Sequence, residues 1–136
     1  MFYECSSLKS IEISTFENFR LLNTSLMFSN CRALKYINID IFKTNNVENM
    51  EYMFNNCSSL ISVDIEKFNT ENVKYMSFMF NNCTSLTSIN LNNFNSQNII
   101  TMYNIFSNCT SLLSLDLRSF NNTLNIYNMN SIFSGL

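Results

Sequence analysis

Apolar positions recur along this chain on a fixed step of 26 residues, marked by Cys5, Cys31, Cys57, Cys83 and Cys109. With each Cys as position 0, Leu8, Leu34, Leu60, Leu86 and Leu112 fill position +3, and Phe16, Phe42, Phe68, Phe94 and Phe120 fill +11. Two periodicities share each copy. Leu60, Val63 and Ile65 include an alternating, β-branched stretch that predicts a short strand. Val73, Met76, Met79 and Phe80 recur at three- and four-residue spacing, which predicts one face of a helix, with Thr70 or Asn72 as its N-cap. One unit of strand, loop, helix and turn cannot bury its apolar side alone, so the copies must stack. The expected fold is α/β: about five 26-residue coils over residues 1–136, forming a single domain with one parallel sheet and helices on the other face.

Asn30, Asn56, Asn82 and Asn108 each directly precede a Cys, and Gly135 stands at the equivalent place in the last, partial copy. Both residue types tolerate the left-handed conformation of a helix C-cap. The same alignment puts Leu136 in the cysteine row, so that position needs only a small apolar group. Met1 and Phe2 match Met53 and Phe54. The first copy has Thr24 in the methionine row, and the last carries one extra residue between Phe120 and Ile126, which realigns Met129, Ile132 and Phe133. Neither end carries a polar cap, so the chain reads as a segment of a longer array.

The pattern CxxLxx[IV]x[IL]xxF…N[VI]xxMxx[MI]FxxC, running from Cys31 to Cys109, resembles the BspA-like leucine-rich repeats of microbial surface proteins, a variety also found in mycoplasma lipoproteins. FNTENV at 68–73 and MFNNCTSL at 79–86 carry the likeness most closely. The resemblance implies a leucine-rich-repeat solenoid displayed at a cell surface and used for adhesion or protein binding. The chain departs from ordinary leucine-rich repeats at +11, where a phenylalanine row replaces the buried Asn, so aromatic packing must brace that turn.

Composition narrows the function further. The net charge of −2 offers nothing to nucleic acid or an anionic membrane surface. Histidine, tryptophan and proline are absent and Gly135 is the one glycine, which removes the commonest general base and any glycine-rich phosphate loop. The N-terminus MFYECSSLKS has no signal-peptide pattern, and no apolar run is long enough to span a membrane. No nucleophile–base constellation can be assembled, so an enzyme is not expected, and neither is a cofactor.

One cysteine per coil fits buried free thiols better than disulfides or a metal site, because the Cβ vectors run parallel and CxxC spacing is absent. The outward strand rows hold Tyr36, then Glu12, Asn38, Asp64, Asn90 and Asp116, then Asp40, Glu66 and Arg118. Asp40, Asp64 and Glu66 form an acidic cluster beside Tyr36, the expected binding surface; a solvated face without a ligand is the alternative. Tyr52 and Phe78 lie opposite the apolar helix face, with Tyr75 and Tyr103 nearby, either as partner anchors or as cover for neighbouring side chains. Asn23, Asn56, Asn82, Asn108 and Asn121 satisfy N-x-[ST], a weak signal in so Asn-rich a chain. The expected function is a non-enzymatic protein-interaction or adhesion module, with a structural spacer or intracellular scaffold as the alternative.

Overall fold

A computed structural model describes residues 1–13, 20–39, 42–120 and 131–136. The 26-residue step is a step between stacked coils. Strands β1 (Ser10–Ile11), β2 (Tyr36–Asn38) and β3 (Ser62–Asp64) form a parallel sheet in the order β1-β2-β3. Tyr36 pairs with Ser62, Ile37 with Val63 and Asn38 with Asp64, one repeat apart. Beyond β3 the ladder thins to one bond per rung: the Thr87 N–H donates to the Ile61 carbonyl and the Leu113 N–H to the Thr87 carbonyl, both at 3.2 Å.

The expected helices are not there. Among the described residues the one helical element is a three-residue 3-10 turn, Arg118–Phe120. The chain is therefore not an α/β solenoid with helices packed on its sheet. The cause is visible in the second coil. The N–H groups of Met50, Tyr52, Phe54 and Asn56 donate to the carbonyls of Tyr75, Ser77, Met79 and Asn81 in the next coil, at 2.8–3.1 Å. The intervening N–H groups of Met53, Asn55 and Cys57 close tight turns onto Met50, Tyr52 and Phe54, at 3.1–3.3 Å. Every donor that a helix would send four residues back goes across to the next coil or into a turn. Tyr52 (φ 58°) and Asn56 (φ 59°) occupy the third position of two such turns, the place where a type II turn requires positive φ. A left-handed residue every fourth position also prevents an α-helix from propagating.

The apolar face read as helical is nonetheless inside. Val73, Met76, Met79 and Phe80 are all buried, because consecutive tight turns also return a side chain to the core every three or four residues. Phe2, Phe28, Phe54, Phe80 and Phe106 form one continuous stack with ring centroids 5.3–5.6 Å apart and planes within 7°. Burying such a side chain contributes about 1.5–3 kcal/mol each. Of the phenylalanines at +11, Phe42, Phe68, Phe94 and Phe120 are buried as expected; Phe16 lies outside the described residues.

Thr70 is not an N-cap. Its hydroxyl donates to the Asn95 carbonyl at 3.1 Å and accepts the Asn95 N–H at 2.7 Å, and Thr44 clasps Asn69 in the same way. Asn72 also reaches across, donating its amide to the Asn45 carbonyl at 2.7 Å. The asparagines before each Cys do take the left-handed conformation, with φ of 57–63°, and Gly135 follows at 79°. They cap turns and not helices. The extra residue of the last copy lies outside the described residues, as does Met129. Its effect shows downstream: the Asn108 N–H donates to Ser134, 26 residues on, where the Asn82 N–H reaches Ser107, 25 residues on.

Candidate functional site

The outward strand face is built by side chains that fold back onto their own loops. Asp64 accepts the N–H of Glu66 on Oδ1 at 3.2 Å, Asn90 accepts that of Asn92 at 3.0 Å, and Asp116 that of Arg118 at 3.0 Å. Asp and Asn alternate in this row because either can accept this two-residue bond, an Asx turn at the strand end. The Glu66 carboxylate accepts the Asn90 side-chain amide at 2.7 Å, and the Glu66 carbonyl accepts that of Asn93 at 2.8 Å. Asp116 is further occupied by the Arg118 guanidinium, whose Nε donates to both carboxylate oxygens at 3.0 Å. That hydrogen bonding holds the Asp116 carboxyl down at about pKa 2.

The sequence-predicted residues therefore separate into groups. Asp64 and Glu66 line a shallow cleft with Ser62, Ser88 and Asn90. Tyr36 stands one rung away on β2, 56% exposed and paired through its backbone with Ser62. Asp116 sits two coils from Asp64 and is tied to Arg118. Asp40 lies outside the described residues. On the turn side, the rings of Tyr52 and Phe78 stack face to face at 4.8 Å, both half-buried. Tyr103 is half-buried, with its N–H donating to the Ser77 hydroxyl at 3.2 Å. Tyr75 is exposed at a separate edge, in a cleft of about 320 Å³ lined by Leu22, Asn23, Asn46, Glu48 and Asn49.

The cysteines are free thiols, four of them buried and Cys5 half-buried in the first coil. The Sγ of Cys31, Cys57, Cys83 and Cys109 each donates to the carbonyl of a phenylalanine 29 residues earlier, at 3.1 Å. Burial raises all four pKa values: Cys57 to about 12, Cys109 to about 11, with Cys83 also well above its ordinary value and Cys31 raised. Thiols held protonated in this way are poor nucleophiles and poor metal ligands. Among the described residues no group of three or more His, Cys, Asp or Glu side chains could hold a metal ion.

Sequence reasoning missed two features. One is the amide ladder in which Asn56, Asn82 and Asn108 each donate to the Asn one coil earlier, at 2.8–3.0 Å, with Asn81 donating to Asn55 beside it. The unbroken Asn row was the signal. The ladder also occupies three of the N-x-[ST] asparagines. The other is the row of Leu22, Glu48, Lys74 and Ile100 at +17, whose mixed chemistry hides it from a search for repeated residues.

A family model described as "Mycoplasma protein of unknown function, DUF285" matches residues 22–136. No curated protein and no solved structure matches the chain.

Proposed function

The chain belongs to this DUF285 family, and we propose that it is a non-enzymatic binding module that presents its outward strand face to a protein partner at a cell surface. The observation that carries this reading is Tyr36, 56% exposed on a face whose neighbouring carboxylates are already held, Asp64 by its own loop and Glu66 by Asn90 of the next coil. A large aromatic on a rigid polar platform is the kind of side chain that anchors an interface, because little conformational freedom is lost on binding. The carboxylates of Asp64 and Glu66 on the following coil favour a partner with a basic group beside its apolar contact. The likeness of the repeats to those of BspA-like surface proteins supports adhesion and surface display. The absence of histidine from the sequence and the raised thiol pKa values support a role without catalysis.

Beads coated with the chain and presented to cultured cells test this reading. Tyr36→Ala and Glu66→Lys are expected to cut attachment by about tenfold or more, the scale of one interface anchor. Attachment equal to that of the unchanged chain for both variants would remove the strand face from consideration.

A further inference from the structure

Among the described residues the row at +17 carries apolar groups at its two ends and opposite charges between them. Leu22, Glu48, Lys74 and Ile100 succeed one another along a second, narrow parallel ladder. There the Glu48 N–H donates to the Leu22 carbonyl at 3.1 Å, Lys74 to Glu48 at 2.9 Å and Ile100 to Lys74 at 2.7 Å. Backbone bridges from Asn23 to Asn49, Asn49 to Tyr75 and Tyr75 to Thr101 hold the adjoining positions in the same register. The four side chains are thus spaced by about one strand separation, ~4.8 Å. Among the described residues the two outer ones are apolar and open to solvent, Leu22 at 58% and Ile100 at 48%; the row's position in the last copy lies outside the described residues. The two inner ones form an exposed ion pair, Lys74 Nζ to Glu48 Oε2 at 2.9 Å.

The order is apolar, negative, positive, apolar. A twofold rotation about an axis between Glu48 and Lys74 exchanges Leu22 with Ile100 and Glu48 with Lys74, so the row is complementary to itself. That is the requirement for an isologous interface. We propose that this edge docks a second copy of the chain, side by side and antiparallel. Leu22 of each copy then meets Ile100 of the other, and the four charges alternate in sign around the axis. The cleft beside Leu22, lined by Asn46, Asn49 and Tyr75, receives the incoming Ile100 side chain. A stripe of four rungs is small, at or below the lower limit of stable interfaces, about 1,200 Å² in total, so the dimer forms as a function of concentration. It leaves the strand face with Tyr36 open, and it stands or falls independently of the adhesion reading.

Sedimentation velocity of the chain over a concentration series tests the proposal, with circular dichroism confirming that each variant folds. Reversible dimerisation that weakens as salt is added is expected. Lys74→Glu places like charges around the axis and is expected to weaken the dimer by about tenfold or more, as is Ile100→Asp. The exchange Glu48→Lys with Lys74→Glu regenerates the alternating order and is expected to restore it to within about threefold, a change of under 1 kcal/mol. A chain that stays monomeric at every concentration overturns the proposal. So does a dimer indifferent to Lys74→Glu and Ile100→Asp, which would place the contact elsewhere, or an exchange variant no better than Lys74→Glu alone. Bead attachment that persists in Lys74→Glu separates failure of this edge from failure of the strand face.

Discussion

A cysteine repeated at every coil is, in this protein, a packing group with a weak hydrogen bond. Each buried Sγ sits under a phenylalanine carbonyl of the preceding coil, in surroundings that oppose ionisation. Cys5 differs because it is half-buried. Native-state labelling with a maleimide is expected to modify Cys5 first, with Cys57, Cys83 and Cys109 reacting only as fast as the coils open. Peptide mapping after a timed pulse reads this directly, and modification of Cys57 at the rate of Cys5 would refute the buried ladder. The acids of the outward face follow similar logic. Asp64 closes β3 and Asp116 holds the equivalent bend two coils on, and each carboxylate accepts the N–H two residues ahead before it is available to anything else.

Within one coil the defining element is the run of tight turns from the +18 to the +25 position. Its left-handed residues follow two rules. The Asn row carries the conformation at low cost and adds the amide ladder, whereas Leu26, Tyr52 and Phe78 hold φ of 58–61° despite bulky side chains. For such residues the left-handed region costs roughly 1–2 kcal/mol each; cross-coil hydrogen bonds at every one, and the Tyr52–Phe78 ring stack, offset it. Asn82 separates the two contributions. Asn82→Gly removes its ladder bonds while keeping the conformation free of strain, and Asn82→Ala removes the bonds and adds strain. Denaturant titration is expected to place Ala about 1–2 kcal/mol below Gly. Equal stability of the two would mean that the left-handed turn is not needed there. At Gly135 the Asn108 side-chain amide occupies the space that a Cβ would take.

Across the whole stack the buried thiols couple stability to alkaline pH. A Cys that ionises near 9.0 when unfolded is pushed up to about 12 at Cys57 and about 11 at Cys109. The folded state therefore binds protons more tightly. This contribution is complete below pH 9 and is lost as the pH climbs from there towards 11–12. Unfolding midpoints measured from pH 8 to 11 should fall with pH, and Cys57→Val should flatten that slope. An unchanged slope in the variant would mean that the Cys57 thiol does not carry the alkaline loss. Cooperativity along the stack follows from its bonding, because each coil supplies the hydrogen-bond partners and the stacked phenylalanine of the next.

The 26-residue register, the buried rows at Leu60, Val63, Phe68, Met76 and Phe80, and the left-handed asparagines were legible in the sequence, because each depends on side-chain polarity or on the conformational tolerance of one residue type. Whether the second half of each coil is helical was not. A helix and a chain of tight turns bury the same three- and four-residue spacing. Only the stacked neighbour, by accepting the N–H groups of Met50, Tyr52, Phe54 and Asn56, decides between them. The candidate surface divides on the same line. Tyr36, Asp64 and Glu66 could be put on the outward face from alternation alone, but the amides of Asn90 and Asn93 that hold Glu66, and the self-complementary edge from Leu22 to Ile100, arise from contacts between coils. Those contacts join residues about 26 positions apart, and a pattern read within one repeat contains no term for them.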